Sequence, residues 1–359
     1  MVVYEPEIVR DGASVKERHG NFFDAAYAAI LSKPEWARRL NKAHTGRKDL
    51  PRPESGRKWR ELDSCMSSDA LLMNFFCWAP AARSDAEIDS FRRLLGVQGK
   101  ELPEFGWKAK VPLKSGLFPP QRAKTARRGP RFDRTEVDMR WGDLSTPQTK
   151  TGLSPQRQEH PPGAPSLWGP PLSTPQTKTS LWGPPLLVEA KLTEGDFQTR
   201  AATIVEGYRD FDAVFDRELL PRVEVALTRR RQAAEFAEEY SQEWEDTAGL
   251  AAEEAGAIAA EYQAGLVAEA EARAPREMRY RSYQLIRNVL AAYAEGARFC
   301  VIADDRRPDL KEAWFQVMAA VRSAEMRTRC LMVTWQELAA VAPVRLREFL
   351  EVKYGIVAG

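Results

Sequence analysis

The sequence is poor in the residue types from which thiol, zinc and histidine-based sites are built. Only three histidines occur among 359 residues, and none lies near a candidate nucleophile, which argues against a Ser-His-Asp site. The cysteines form no CxxC pair and have apolar neighbours, so we expect buried free thiols and no zinc site or disulfide: Cys65, Cys77, Cys300 and Cys330.

Several longer patterns are also absent. The chain contains neither a GxxxxGK[ST] loop nor a GxGxxG loop, so ATP-driven translocation by this chain alone is not expected. No uninterrupted apolar run reaches about 18 residues, and the first residues lack a signal-peptide pattern. We therefore expect a cytoplasmic protein that makes no membrane contact.

The composition is that of a globular protein. Hydrophobic residues make up 43% of the chain, with ten Trp and fifteen Phe, which is enough to bury a sizeable core. The formal net charge of +2 does not by itself indicate a nucleic-acid-binding protein. The charge is unevenly distributed, however, with a basic segment at 121–134 and an acidic segment at 232–272.

Two short segments have the pattern of strands that carry charge where a core strand would be apolar. They are residues 135–141, TEVDMRW, and residues 186–192, LLVEAKL. Since side chains alternate along a strand, Glu189 and Lys191 should share one face. Asp138 on a neighbouring strand would complete a cluster able to bind a hard divalent cation.

An Asp followed downstream by Glu-x-Lys at the end of an apolar strand resembles the PD-(D/E)xK nuclease superfamily, whose members have the restriction-endonuclease-like fold. The matching residues are Asp138, Glu189 and Lys191. The resemblance implies an α/β (α+β) protein with an αβββαβ core, in which helices flank a central mixed sheet. It also implies an Mg²⁺- or Mn²⁺-dependent hydrolase that cleaves DNA phosphodiester bonds.

The resemblance further implies a role for each matched residue. Asp138, Glu189 and the Ala190 backbone carbonyl would hold the metal. Lys191 would position the attacking water and offset negative charge, or act as the base if its pKa were depressed. Supporting roles are expected for three polar residues near the site: Glu136, Gln284 and Arg287.

A basic segment leads into the first of these strands. Residues 121–134 contain six basic residues and one acid, which is the composition expected of a loop that contacts DNA phosphates. A solvated loop without substrate contacts is the alternative. The predicted DNA contacts are Arg122, Lys124, Arg127, Arg128 and Arg131.

Two segments have the composition of insertions into this core. Residues 145–180 form a proline-rich tandem repeat with a period of 14 residues, and the prolines exclude a helix or a central strand. Residues 223–273 are predicted to be an acidic helical insertion, since eleven acids and no Lys or Arg occur between 232 and 272. The acidic segment could contact a partner protein or mediate homodimerisation.

The remaining segments fit the same architecture. Residues 67–340 would form the nuclease-like core, preceded by an N-terminal helical region, 1–66, and followed by a C-terminal helix or tail, 341–359. A Ser-capped helix is expected before Pro80, and a second helix over 280–293 should bury one apolar face. That face comprises Leu285, Ile286, Val289, Leu290 and Tyr293.

Two alternatives to a nuclease follow from the same residues. The chain could have the nuclease fold without activity and act as a DNA- or protein-binding module. Alternatively, residues 145–186 could be ordered and hold the two strands apart, which would leave no site.

Overall fold

The computed structural model describes most of the chain outside its inserted segments. The described residues are 2–11, 14–43, 56, 58–77, 85–98, 101–114, 132–142, 184–226 and 276–359. The five predicted DNA-contacting residues, the repeat 145–180 and residues 227–273 of the acidic segment lie outside them. The remaining four residues of that segment, 223–226, belong to a β-strand and not to a helix.

The N-terminal region contains a β-hairpin as well as the expected helices. Strands β1 (Pro6–Asp11) and β2 (Ser14–His19) pair antiparallel, and helices α1 (Asp24–Ser32) and α2 (Pro34–Leu40) follow. Pro34 starts α2, where its fixed φ suits the first helical turn. A short 3₁₀ helix, Glu61–Asp63, completes the region.

The first helix of the core begins at the predicted serine cap. Helix α3 spans Ser68–Phe76, and the Ser67 hydroxyl accepts a hydrogen bond from the Ala70 N–H at 3.2 Å. The helix is buried along most of its length and packs against the central sheet. Helix α4 (Asp85–Leu95) follows it.

Three antiparallel strands come next, as expected for this core. They are β3 (Glu104–Pro112), β4 (Phe132–Trp141) and β5 (Leu186–Ala190). β4 and β5 are directly paired, with Met139 opposite Val188 and Trp141 opposite Leu186. The long segment between these two strands therefore does not hold them apart.

A small sheet separates β5 from the next core helix. It has the strand order β6–β8–β7, and two short helices lie between its strands. In chain order the elements are β6 (Arg200–Ala201), α5 (Ala202–Val205), α6 (Phe211–Val214), β7 (Arg222–Ala226) and β8 (Arg276–Tyr280).

Helix α7 spans Tyr283–Glu295 and packs on the central sheet. It begins three residues later than the sequence predicts, because Tyr280 ends β8 and Ser282 adopts a left-handed conformation with φ of 57°. Leu285, Ile286, Val289 and Leu290 are buried as expected, whereas Tyr293 is 39% exposed and does not belong to the core.

The chain then completes the central sheet and covers it. The elements are β9 (Arg298–Ala303), α8 (Pro308–Ala319), α9 (Ala324–Arg329), β10 (Cys330–Thr334), α10 (Trp335–Ala340) and α11 (Val344–Tyr354). β9 pairs parallel with both β5 and β10, which gives the order β10–β9–β5–β4–β3. This five-stranded mixed sheet flanked by helices is the predicted restriction-endonuclease-like fold.

The two faces of the sheet pack against different helices. Leu187 lies in a core with α7, whereas Leu186 and Val188 lie in a second core with α3 and α11. Because β5 is buried on both faces, its first three residues, 186–188, form a continuous apolar run rather than an alternating one. A charged pair at the end of such a strand is therefore unusual.

The regular alternation of β4 is broken where it carries Asp138. Val137 packs in the α7 core, yet Met139, two residues on, packs in the opposite core. On the paired strand the same change occurs at Gly106, whose φ of +66° is accessible to glycine at little cost. The side chains on either side of Asp138 therefore point to opposite faces of the sheet, at the position where Asp138 contacts the end of β5.

Candidate functional site

The structure brings Asp138, Glu189 and Lys191 together at the end of β5. Asp138 Oδ2 accepts a hydrogen bond of 2.7 Å from the Ala190 N–H, which fixes its carboxylate against the neighbouring strand. Glu189 Oε1 and Lys191 Nζ form an ion pair at 3.0 Å, as expected for two side chains that share one strand face. Glu189 is only 4% exposed and Lys191 only 6%.

The backbone of Lys191 is anchored although β5 ends one residue earlier. Its N–H donates to the Ile302 carbonyl at 2.8 Å, and its carbonyl accepts from Trp335 Nε1 at 2.8 Å. The Lys191 ammonium lies 5.8 Å from the centroid of the Phe197 ring. These contacts from β9, α10 and the following loop hold the lysine in a fixed position.

The carboxylates create a surplus of negative charge at Asp138. Burial raises the pKa of the Asp138 carboxyl well above its ordinary value, and the charges of Glu189 and Asp69 raise it further. Lys191 and the Ala190 N–H act in the opposite direction without cancelling this effect. A cation bound at this position would relieve the repulsion.

The surroundings of Lys191 favour its charged form, whereas those of Asp138 favour its neutral form. Burial by itself lowers the pKa of its ammonium, but the carboxylates of Glu189, Asp138 and Glu194 raise it above its ordinary value. The lysine is therefore a stable cation at neutral pH. The sequence-based alternative of a general base with a depressed pKa is not supported by this environment.

Asn288 is a member of the site that the sequence reasoning missed. Its Nδ2 donates to Glu189 Oε2 at 2.9 Å, and its Oδ1 accepts from the Thr135 hydroxyl at 2.8 Å. Asn288 and Thr135 are each 1% exposed. Asn288 lies one helical turn after Gln284, so extending the polar stripe of α7 by four residues would have identified it.

The predicted supporting residue Glu136 belongs to a separate ionic network. Its Oε1 accepts from Arg39 at 2.5 Å and from Lys42 at 2.6 Å. Although burial by itself raises the pKa of the Glu136 carboxyl, hydrogen bonds from Lys42 and Arg39 hold it below its ordinary value. Arg39 also binds Asp69, whose charge acts on Asp138, so the two clusters are neighbours.

A cavity of about 890 Å³ opens beside this network. Neither Glu189 nor Lys191 lines it. The cavity is therefore distinct from the ends of the paired strands, where the buried side chains of Glu189 and Lys191 lie. The charged residues lining the cavity include Arg38, Arg39, Lys42, Lys108, Glu104 and Glu136.

The two other predicted supporting residues lie on the first turns of α7. Gln284 is partly buried, and its Oε1 has no hydrogen-bond partner among the described residues. Arg287 donates to the Tyr283 hydroxyl at 3.3 Å and lies 3.8 Å from Asp133. Neither is hydrogen-bonded to Glu189, a contact made by Asn288.

The donor set at the strand ends is small. Within the described part of the chain, no three His, Cys, Asp or Glu side chains form a group that could hold a metal ion. Two carboxylates and a backbone carbonyl nevertheless fit Mg²⁺, which usually keeps several waters and binds through one or two carboxylates. In the same described residues, no helix is long and apolar enough to cross a membrane.

Comparison with known proteins gives one match. No curated protein and no solved structure matches the chain. The family model described as Restriction Endonuclease associating with ARP matches residues 4–146 and 176–355, which include Asp138, Glu189, Lys191 and Asn288. The family description indicates a nuclease-like role. With the match extending over most of its length, the chain belongs to this family of restriction endonucleases associating with ARP.

Proposed function

We propose that this protein is a metal-dependent nuclease that hydrolyses DNA phosphodiester bonds, as a restriction, repair or defence endonuclease. The observation that carries the proposal is the meeting of Asp138 with the Glu189–Lys191 ion pair on adjacent strand ends. Membership of a restriction endonuclease family supports the same reaction class.

The proposed cofactor is Mg²⁺ or Mn²⁺, held by the carboxylates of Asp138 and Glu189 and by the Ala190 carbonyl. Such an ion, when bound, polarises a phosphoryl oxygen and lowers the pKa of a coordinated water. The raised pKa of Asp138 supports this assignment, because two buried like charges favour a site that takes up a cation.

The protein's own residues would then have distinct tasks. Lys191, which stays protonated, would offset the charge that develops on the phosphate and orient the water by hydrogen bonding. Asn288 would keep Glu189 in one orientation, since it binds the oxygen that Lys191 does not. Ala190 presents its N–H to Asp138 and thereby fixes the second carboxylate.

The proposed substrate is double-stranded DNA. The basic residues at 122, 124, 127, 128 and 131 precede β4 directly in sequence, and β4 carries Asp138. Neutralisation of phosphates by such residues supplies most sequence-independent affinity for DNA. We keep these five residues as proposed DNA contacts.

The test is Mg²⁺- or Mn²⁺-dependent cleavage of supercoiled, linear and single-stranded DNA. The wild type should cleave, whereas Glu189→Gln and Lys191→Met should each lose at least about a hundredfold in rate, as expected when groups that stabilise a transition state are removed. Chelation by EDTA should abolish the activity of the wild type.

A matched control is Glu348→Gln on α11, an exposed carboxylate that is not part of the candidate site. It should cleave like the wild type, and circular dichroism should show that all variants fold. Cleavage that survives both Glu189→Gln and Lys191→Met would reject these residues as the reactive centre.

A second candidate function is a catalytically silent module that binds DNA or protein. The observation in its favour is that Lys191 forms a direct ion pair with Glu189, while the described residues offer only two carboxylates for a metal. Calorimetric titration with Mn²⁺ separates the two functions. A nuclease should bind Mn²⁺ through Asp138 and Glu189, whereas a silent module should show neither Mn²⁺ binding nor cleavage.

A further inference from the structure

Two arginines are held against the same tyrosine at the start of α7. The guanidinium carbon of Arg287 lies 4.9 Å from the centroid of the Tyr283 ring, and that of Arg200 lies 5.9 Å from it. Arg287 comes one turn after Tyr283 on α7, whereas Arg200 comes from β6. Ring contacts of this kind fix planar guanidinium groups without neutralising them.

This arginine pair, Arg200 and Arg287, has too little negative charge around it. Among the described residues Arg200 forms no ion pair, and the only carboxylate partner of Arg287 is Asp133, at 3.8 Å. That distance exceeds a hydrogen bond, and the same Asp133 oxygen already accepts from the Tyr208 hydroxyl at 2.6 Å. Two cations are thus opposed by one distant carboxylate.

Both arginines also carry an unused donor. The Nε atoms of Arg200 and Arg287 are buried and have no hydrogen-bond partner among the described residues. Buried donors without a partner are rare in native proteins, so two in one cluster require an explanation. An anionic ligand bound at the solvent-accessible part of the two side chains would supply the missing negative charge.

The arginine pair is connected to the proposed reactive centre by a short segment. This segment leaves Lys191, places Phe197 beside the lysine ammonium and ends at Arg200. It is fixed to the start of α7, because the Phe197 carbonyl accepts from the Gln284 N–H at 2.9 Å. On the same helix, Asn288 follows Arg287 directly and binds Glu189.

We propose that Arg200 and Arg287 form a binding site for a backbone phosphate of the DNA, flanking the phosphate that is cleaved. This inference rests on the proposed function. Arginine donors match phosphate oxygens in geometry and charge, and contacts to the backbone position a duplex without reading its sequence. The site would hold the strand in register with Asp138, Glu189 and Lys191.

The test measures binding of a fluorescent duplex in EDTA, where no metal-dependent cleavage occurs, over a series of salt concentrations. Arg200→Gln should weaken binding about tenfold, the loss expected for one charge-assisted hydrogen bond. The plot of log K against log salt should become shallower by about 0.9, the value for one lost phosphate contact. The loss should be equal for duplexes of different sequence.

Two further variants make the result specific. Arg287→Lys keeps the charge but loses the planar fork, and should weaken binding less than Arg200→Gln while leaving the salt slope unchanged. Arg345→Gln removes an exposed arginine on α11 and should match the wild type. Mn²⁺ affinity should be the same in all of these proteins, which separates a phosphate contact from damage to the metal site.

Two results would overturn the inference in distinguishable ways. If the wild type binds and cleaves DNA but Arg200→Gln keeps its affinity and salt slope, the nuclease proposal stands and the phosphate site is rejected. If the wild type neither binds nor cleaves DNA, the proposed function fails and the phosphate site fails with it.

Discussion

Replacing Asn288 by alanine tests whether the candidate site depends on the orientation of Glu189. The change removes the Nδ2 donor that binds Glu189 Oε2 at 2.9 Å and the Oδ1 acceptor that binds Thr135 at 2.8 Å. Lys191 would remain bound to the other Glu189 oxygen at 3.0 Å. The Glu189 carboxylate would then be held only through the oxygen that Lys191 binds, and it could adopt other orientations.

The expected loss of stability follows from these two hydrogen bonds. A hydrogen bond to a charged group contributes about 1.5–3 kcal/mol and one between neutral groups about 0.5–1.5 kcal/mol. Since Asn288 and Thr135 are each only 1% exposed, water cannot readily replace the lost partner. We expect Asn288→Ala to lower the free energy of unfolding by about 3 kcal/mol.

Metal affinity should fall as well, because groups that orient a metal ligand typically contribute about 10–100-fold to affinity. The assays are urea unfolding and calorimetric titration with Mn²⁺. The control is Asn74→Ala, which removes an equally buried amide that binds backbone groups of Asn21, Phe23 and Ala70. It should lose comparable stability but keep the Mn²⁺ affinity of the wild type.

The reasoning would be refuted by equal Mn²⁺ affinities in Asn288→Ala and the wild type, since Glu189 would then need no second anchor. Equal losses of affinity in Asn288→Ala and Asn74→Ala would also refute it. That result would make the effect one of general stability.

Three other substitutions test the surroundings of the site. Asp138→Asn keeps an acceptor for the Ala190 N–H but removes a carboxyl group whose pKa is raised by folding. Since folding disfavours the ionised form of that carboxyl, the variant should be more stable than the wild type in EDTA at neutral pH. In urea unfolding this gain in stability should vanish as the pH falls below about 3.9, the ordinary pKa of aspartate, because the carboxyl is then protonated in both the folded and the unfolded state. A variant that is less stable than the wild type at neutral pH would contradict this prediction. Arg39→Met leaves Asp69 without a cation, whereas Glu136 keeps its ion pair with Lys42, and should cost about 3 kcal/mol in urea unfolding; an unchanged midpoint would show that solvent screens the network. Gly106→Ala should lower stability more than Gly296→Ala in thermal unfolding. Both glycines have a left-handed φ, which costs an alanine about 1–2 kcal/mol, but only at Gly106 would the new Cβ lie 2.7 Å from Arg39. Equal losses of stability would exclude the steric contribution.

Much of the fold was predictable because local patterns and packing agree. The cap at Ser67, the apolar run before Glu189 and the buried face of α7 each indicated the element that forms. The start of α7 was not predictable from its apolar spacing, since Tyr280 pairs in a strand and the chain turns at Ser282. The N-terminal hairpin was missed because its strands are largely exposed and lack a hydrophobic alternation.

The sequence alone determined which residue types meet at the site. Period-two alternation places Glu189 and Lys191 on one strand face whatever the rest of the fold does, and the ion pair follows from that spacing. Only the tertiary structure decided their partners. Asn288 and Thr135 come from elements distant in sequence, and the change of face at Gly106 depends on a backbone conformation that side-chain patterns do not encode. The charge states were likewise decided by packing, because burial and the neighbouring carboxylates, rather than residue type, raise the pKa of Asp138 and keep Lys191 protonated.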